Sequence, residues 1–284
     1  MKIGIGLPNQ VRNLDPHIIP QWAAKAEEVG FSTLGTVGRY AYPGVSDTVA
    51  LAAAAAATSR IGLLSDVLVA TTWPAYLLAK EVAGIDGVSG GRLTLGIGVG
   101  MREDDFVVEG YGPRGRGKRM DNDLRIYRSV WKGEPVGGGP NPAVPESTRQ
   151  IPLLFGAMSD AAFKRAAREG EGFIGASMPA EMVAQSFDAA RNAWKEAGRT
   201  QEPRLVAIAY YAVGDVDKGR SNIWDYYSVA GDDIANLVAN NLSGGVEAIK
   251  QTVQAFEDIG ADELVLGPGV ADLDEISRLA DIVL

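Results

Sequence analysis

The stretch that decides the fold of this chain is Asp86–Gly112, which reads DGVSGGRLTLGIGVGMREDDFVVEGYG. It predicts the end of a helix, a Gly-Gly turn, a buried strand and a glycine-rich exit from that strand. Gly96, Gly98 and Gly100 leave alternate positions of the strand without a side chain. A packed strand gains nothing from such positions, because each glycine loses burial and adds an entropic cost. The pattern therefore predicts a flat ligand against this strand end.

Strand and helix signals alternate along the rest of the chain. Buried apolar strands that alternate with amphipathic helices are typical of a parallel sheet. Eight strands in 284 residues predict an α/β protein, a (β/α)8 TIM barrel forming a single domain over residues 1–284, with a doubly wound open sheet as the alternative. The predicted strands are 2–7, 32–37, 60–70, 92–100, 151–156, 172–177, 203–213 and 263–268. Residues 132–150, with four prolines and four glycines, predict an irregular insertion between strands four and five.

Composition excludes several classes of function. The chain has no cysteine and a single histidine, His17, so disulfides, thiolate metal sites and multi-histidine metal centres are excluded. The net charge of −9 disfavours nucleic acid and anionic membranes as partners. The first residues lack the apolar length of a signal peptide, and no apolar run reaches membrane-spanning length. We therefore expect a cytoplasmic protein that acts on a small molecule.

The chemistry of a TIM barrel lies at the carboxyl ends of its strands. Asp66 ends strand three and can donate a proton or hydrogen-bond a ligand ring, whereas an ion pair with Arg39 is the alternative. Arg39 can hold an anionic substrate, and Tyr40 can donate a proton or stack on a ring. For both residues, a loop that packs over the barrel mouth is the other interpretation. The predicted substrate contacts at these strand ends are Tyr42, Trp73 and Met101.

The segment Gly156–Asp160 joins strand five to a helix. Backbone N–H groups at a helix start bind phosphate well, so this segment is a predicted phosphate site, with a simple helix cap as the alternative. Asp160 must point away if an anion binds there. The residues assigned to a cofactor are Gly98, Gly100, Gly156, Ala157, Met158, Ser159 and Asp160. The basic residues within 114–119 predict an ion-paired helix start, with phosphate binding as the alternative.

Several motifs, taken in order, resemble the bacterial luciferase-like superfamily of flavin- and deazaflavin-dependent oxidoreductases. The most specific stretch lies between Leu51 and Tyr111. It contains an alanine-rich helix, TSRI at 58–61, DGVSGGR at 86–92 and LGIG at 95–98. The motifs that follow at the right intervals are RGKRMDNDL at 116–124, IPLLFGAMSD at 151–160 and GGVEAIK at 244–250. The resemblance spans nearly the whole chain.

The resemblance implies FMN or coenzyme F-420 at the carboxyl-terminal mouth of a (β/α)8 barrel. It implies that a strand-three bulge at Asp66–Val67, often with a non-prolyl cis peptide, presses on the flavin ring. It also implies that Gly156–Asp160 holds the phosphate. A small-molecule substrate and a homodimer are further implications, since dimers are common in this superfamily.

Two departures from the family pattern bear on the reaction. The Glu-His or His-His pair that follows strand two in many flavin monooxygenases aligns with Val-Gly-Arg at 37–39, and the phosphate-binding arginine of luciferases aligns with Val99. Any acid or base must then be Asp66, Arg39 or one of the tyrosines at 40 and 42. These departures favour hydride transfer that depends on coenzyme F-420. The alternatives are an FMN-dependent monooxygenase supplied by a separate flavin reductase and a non-catalytic flavin- or ligand-binding barrel.

Overall fold

Ten β-strands form one parallel sheet in the computed structural model, which describes residues 1–284. They are β1 (Lys2–Gly6), β2 (Thr33–Thr36), β3 (Gly62–Ser65), β4 (Leu68–Val69), β5 (Leu93–Gly98), β6 (Leu153–Gly156), β7 (Gly172–Ile174), β8 (Arg204–Ala212), β9 (Ser243–Gly244) and β10 (Glu263–Pro268). Each of the strands β1, β2, β3, β5, β6, β7, β8 and β10 pairs with the next in that order, and pairing of β10 with β1 closes the ring. The predicted TIM barrel is confirmed.

Ten α-helices connect and surround these strands. They are α1 (Ile18–Val29), α2 (Asp47–Ala57), α3 (Ala75–Ser89), α4 (Arg116–Trp131), α5 (Asp160–Glu169), α6 (Ala180–Glu196), α7 (Val216–Tyr227), α8 (Asp232–Asn240), α9 (Val246–Asp258) and α10 (Asp274–Val283). None of them combines the length and apolar character needed to cross a bilayer. A single 3-10 turn at Ser228–Ala230 separates α7 from α8.

The third predicted strand, 60–70, is divided into β3 and β4. The division falls at the peptide between Asp66 and Val67, which is cis, as the resemblance implied. β3 pairs with both β2 and β5, whereas β4 pairs with β5 at Ile97 and Gly98. The two-residue β9, which adds to the end of β8, is not predicted because so short a strand carries no periodicity.

Residues 132–150 contain no helix or strand, only an antiparallel bridge between Pro135 and Pro142. The end of this insertion is tied to the barrel by Arg149. Its guanidinium donates to both carboxylate oxygens of Asp86 and to the carbonyl oxygen of Leu93 at the start of β5. The irregular insertion predicted between the fourth and fifth main strands is therefore present and anchored at its far end.

Arg92, the last residue of the DGVSGGR motif, binds the carboxyl-terminal end of α2. Its terminal nitrogens donate to the carbonyl oxygens of Ala55, Thr58 and Ile61, and to the Thr58 hydroxyl. Its Nε donates to the carbonyl oxygen of Ser89. The last carbonyls of a helix have no partner inside the helix, and a cationic donor stabilises them. The most specific motif of the chain is therefore a structural clamp between α2, α3 and β5.

Replacing Arg92 with lysine tests this clamp. An ammonium group has three donors and lacks the planar fork of arginine, so Arg92→Lys loses several of the five hydrogen bonds. We expect the free energy of unfolding, measured by urea denaturation, to fall by about 2–4 kcal/mol. Arg125→Lys, on the exposed face of α4, is the matched control and should change stability by less than about 0.5 kcal/mol. Equal effects of the two substitutions would contradict the clamp.

Candidate functional site

A cavity of about 230 Å³ opens at the carboxyl-terminal mouth of the barrel. Its walls are Gly38, Arg39, Tyr40, Tyr42, Gly44, Ser46, Asp47, Leu68, Val69, Thr72, Trp73 and Asp105. Pockets that enclose a whole ligand are typically about 300–1,000 Å³, so this one accommodates part of a ligand. A groove of about 640 Å³ at the opposite end is lined by Arg204 and Asp262 at the strand starts. Chemistry in this fold lies at the carboxyl end, so the smaller cavity is the candidate site.

The glycines at the exit of β5 make room for the protein itself. A Cβ atom at Gly96 would lie 2.0 Å from a carbonyl oxygen of β3, and one at Gly100 would lie 2.5 Å from a side chain of β4. A Cβ atom at Gly98 would lie 3.0 Å from Cγ2 of Val67. The expectation that only a ligand accounts for these glycines is wrong, because the divided third strand packs against them. Contact of Gly98 and Gly100 with a cofactor stays a prediction.

The carboxylate of Asp66 lies inside the barrel and not in the cavity. Its Oδ2 is 3.1 Å from the place that a Cβ atom would take at Gly35, so it fills the space that this glycine leaves. Neither carboxylate oxygen has a hydrogen-bond partner. Burial raises the pKa of Asp66 well above its ordinary value, and the carboxylate of Glu263 acts in the same direction. Asp66 therefore keeps its proton to higher pH than an exposed aspartate does.

Arg39 is bound to two carboxylates of the loop between β5 and α4. Its guanidinium lies 2.5 Å from Oδ2 of Asp104 and 3.7 Å from Oδ2 of Asp105. It also donates to the carbonyl oxygen of Tyr226, and the Arg39 side chain is only 3% exposed. The alternative of an Asp66–Arg39 ion pair is therefore wrong. Arg39 instead joins the loops that cover the mouth.

The aromatic residues predicted after β2 and β4 lie around the cavity. The Tyr42 hydroxyl donates to Oδ2 of Asp225 over 2.8 Å. Burial raises the pKa of Tyr42, and the Asp225 carboxylate raises it further. Tyr40 is 64% exposed at the rim, and Trp73 is half-buried in the wall. Met101, predicted as a substrate contact, is 65% exposed and does not line this cavity.

The segment after β6 presents unpaired N–H groups at the start of α5. Ser159 is the N-cap, and its side chain makes no capping hydrogen bond. The N–H groups of Ser159 and Asp160 donate to no other backbone group. The Asp160 carboxylate is exposed and lies 2.9 Å from the ammonium group of Lys164, one turn along the helix. The acidic residue is therefore paired elsewhere, and the N–H groups remain free to bind an anion.

Gly156 places this segment beside the cis peptide. A Cβ atom at Gly156 would lie 3.3 Å from Cγ2 of Val67, the same methyl group that faces Gly98. Ala157 is buried next to it, whereas the Met158 side chain is 69% exposed. Three of the predicted cofactor contacts thus meet at one edge of the mouth.

Asp47 is a buried carboxylate in the cavity wall, although an aspartate before an alanine-rich helix by itself predicts only a helix cap. The N-cap of α2 is Ser46, and Asp47 lies in the first turn. Its carboxylate sits over Gly38, where a Cβ atom would lie 2.2 to 2.5 Å from the three carboxylate atoms. Oδ1 has no hydrogen-bond partner, and burial raises the pKa of Asp47 to about 6. Asp47 therefore occupies the space that a side chain at position 38 would need.

Buried polar atoms without partners gather at this mouth. They are Oδ1 of Asn9, Oε1 of Gln10, Oγ1 of Thr36, Oδ1 of Asp47 and the Nε atoms of Arg39 and Arg102. Such atoms are rare in folded proteins, and each one calls for an explanation. No group of three acidic or histidine side chains is placed to hold a metal ion. The unpaired atoms are mostly acceptors, and they match an organic ligand that carries N–H donors.

Residues 1–252 match the luciferase-like monooxygenase family. The chain belongs to this family. An uncharacterised protein of Mycobacterium tuberculosis is 33% identical over 177 residues, which are 59% of this chain and 62% of that relative. The match thus spans less than two thirds of the relative's length. A second protein of the same organism is 27% identical over 236 residues, 71% of this chain and 82% of the relative.

Solved structures of luciferase-like proteins share the whole fold. An F-420-dependent secondary alcohol dehydrogenase with an F-420–acetone adduct has a TM-score of 0.80 and 17% identity, with 100% and 98% of the two chains covered. A monooxygenase from Streptomyces bottropensis has a TM-score of 0.80 and 22% identity, with 99% and 97% covered. The oxygenating constituent of 3,6-diketocamphane monooxygenase from Pseudomonas putida, in complex with FMN, has a TM-score of 0.72 and 15% identity, with 100% and 97% covered. Two of these neighbours hold F-420 or FMN, the two cofactors that the sequence predicts.

Asp66→Asn tests the buried, unpaired carboxyl group. Above pH ~4 the unfolded chain releases a proton that folded Asp66 keeps. The free energy of unfolding therefore falls by about 1.4 kcal/mol for each pH unit, until the pH reaches the folded pKa. We expect Asp66→Asn to be more stable than the parent at pH 8 and to lose this advantage near pH 4 in thermal unfolding. The control, Asp281→Asn on exposed α10, should show no such trend. A variant that is less stable at pH 8 than at pH 4, relative to the parent, would contradict the assignment.

Proposed function

We propose that this luciferase-like protein is an oxidoreductase that binds coenzyme F-420 at the barrel mouth and transfers hydride to or from a small organic substrate. The observation that carries the proposal is that Val67 lies against Gly98 and Gly156 at the mouth of the barrel. The cavity and the unpaired N–H groups at the start of α5 lie at the same end of the barrel. The unpaired polar atoms of the mouth fit a ring that bears N–H donors. When bound, such a cofactor supplies the hydride chemistry, and the protein supplies orientation and electrostatics.

The protein's own groups divide the work of binding. The N–H groups at Ser159 and Asp160 would hold a phosphate, because a helix start favours an anion. The unpaired oxygens of Asn9 and Gln10 would accept hydrogen bonds from the ring edge. Gln10 is itself held by a 2.8 Å bond from its Nε2 to the carbonyl oxygen of Pro268, so its Oε1 is kept in place.

Asp47 is the group we assign to proton transfer. It lies close to the missing histidine's region, since its carboxylate sits over Gly38, one of the three residues that align with the family's pair. It lines the cavity, unlike Asp66, and it is free of the ion pairs that hold Arg39. A carboxyl group with a pKa of about 6 exchanges a proton readily near neutral pH.

An FMN-dependent monooxygenase is the second candidate. The monooxygenase from Streptomyces bottropensis and the F-420-dependent dehydrogenase have the same TM-score of 0.80 with this chain, so the fold favours neither. What favours F-420 is the chain itself. Gly38 and Val99 stand where many flavin monooxygenases carry a histidine and where luciferases carry a phosphate-binding arginine.

Cofactor titration tests the proposed function. Purified protein is titrated with F-420 and with FMN while fluorescence quenching is followed. We expect saturable F-420 binding that is tighter than FMN binding by about tenfold or more, equivalent to about 1.4 kcal/mol. Tighter FMN binding would favour the monooxygenase, and binding of neither would overturn both and leave the non-catalytic barrel.

Asp47→Asn tests the proton-transfer role, and Asp123→Asn is its matched control. Burial raises the pKa of Asp123 in α4 to about 6 as well, but Asp123 does not line the cavity. We expect the first substitution to lower cofactor turnover by about a hundredfold and to remove the activity change near pH 6. Asp123→Asn should leave both unchanged. A similar loss in the two variants would mean that Asp47 acts through stability alone.

A further inference from the structure

Two arginines at the mouth stack on the same buried tyrosine, and only one of them has a counter-ion. The guanidinium carbons of Arg39 and Arg102 lie 5.9 and 5.2 Å from the ring centre of Tyr226. Arg39 is neutralised by Asp104 and by a second carboxylate next to it. Arg102 has no carboxylate within salt-bridge distance, and its buried Nε has no acceptor.

Aromatic rings hold Arg102 in place. Its guanidinium carbon is also 5.1 Å from the ring centre of Tyr227, so two ring faces contact one cation. The Tyr227 hydroxyl donates to Oγ of Ser177 at 3.2 Å and lies 3.1 Å from the hydroxyl of Tyr210. These two partners follow β7 and lie on β8, so the network crosses the mouth from the end of β5. Arg102 is thus positioned by packing and not by an ion pair.

An arginine held in this way is ready for an oxyanion. Stacking on aromatic rings fixes the plane of the guanidinium but leaves its five N–H donors unused. Leaving a buried donor unpaired costs stability, and bidentate pairing with carboxylate or phosphate is the interaction that this fork makes best. Asp104 and Asp105 cannot supply it, because Arg39 already holds them.

We propose that Arg102 is the receptor for an oxyanion, a carboxylate or a phosphate, on the small molecule that enters the barrel mouth. The proposal rests on the proposed function in so far as a small molecule binds there, and it adds the chemical class of the group that is recognised. The oxyanion belongs either to the substrate or to the side chain of the cofactor. Arg102 orients the ligand and takes no part in proton transfer.

Inorganic phosphate is the probe for the receptor itself. The Nε–H resonance of Arg102 in ¹⁵N-labelled protein is identified by its loss in Arg102→Gln, and phosphate is then titrated into the protein. We expect a saturable shift of this resonance and a loss of phosphate affinity of about tenfold or more in Arg102→Gln. Arg102→Lys, which keeps the cation, should bind with intermediate affinity, and Arg125→Gln on exposed α4 should bind as the parent does. An unmoved resonance, or unchanged affinity in Arg102→Gln, would overturn the proposal.

A second titration finds the source of the oxyanion. FMN and riboflavin differ by one phosphate, so the ratio of their affinities measures phosphate recognition. A ratio that falls by about tenfold in Arg102→Gln, or a similar loss of F-420 affinity, assigns the oxyanion to the cofactor. If the ratio and the F-420 affinity are both unchanged, the oxyanion belongs to the substrate. Failure of the proposed function has a different signature: neither flavin nor F-420 would bind the parent protein, while the Arg102 resonance would still report phosphate.

Discussion

The close approach of the divided third strand to the glycines of β5 is the constraint on which the mouth depends. The hydroxyl of Ser65 donates to the carbonyl oxygen of Gly96 over 2.7 Å, and any side chain at position 96 would collide with β3. This contact carries Val67 to the point where β5 and β6 end, between Gly98 and Gly156. Gly96 therefore allows β3 to pack closely on β5, and this packing positions Val67 at the edge of the site. A larger residue at position 96 would move the strand and every contact above it.

A second constraint is the way charge is distributed over the mouth of a protein with a net charge of −9. Arg39 forms ion pairs with the carboxylates of Asp104 and Asp105 and so joins the loop after β2 to the loop after β5. This pairing offsets one of the two negative charges that would otherwise repel an anionic ligand. It also leaves Arg102 as a cation with free donors on the same aromatic support. The ion pair that looks purely structural thus shapes the electrostatics of binding.

The repeating pattern of the sequence is sufficient to predict the barrel, because eight apolar strands separated by amphipathic helices leave few alternatives. It also predicts the passage from strand to helix at Gly156–Asp160, whereas the cis peptide at Asp66–Val67 is implied only by the family resemblance. The partner of Arg39 and the role of Asp47 lie beyond such reasoning, because each depends on contacts between loops far apart in the chain. Asp104 is 65 residues from Arg39 in sequence, and no periodicity relates the two. Local sequence patterns are enough to predict the strands and helices. Which side chains contact one another at the mouth depends on how the closed barrel brings distant loops together.

The two buried aspartates of the mouth show why position within the barrel matters more than residue type. Asp66 is buried inside the barrel, neither of its carboxylate oxygens has a hydrogen-bond partner, and it does not line the cavity, so ionising it is costly. Asp47 is equally deprived of one partner but faces the cavity, where its pKa of about 6 lies near the range in which proton exchange is fast. Loss of hydration on burial raises the pKa of both aspartates. Both shifts make the stability of the protein depend on pH, but only Asp47 lies where the proposed ligand could exchange a proton with it.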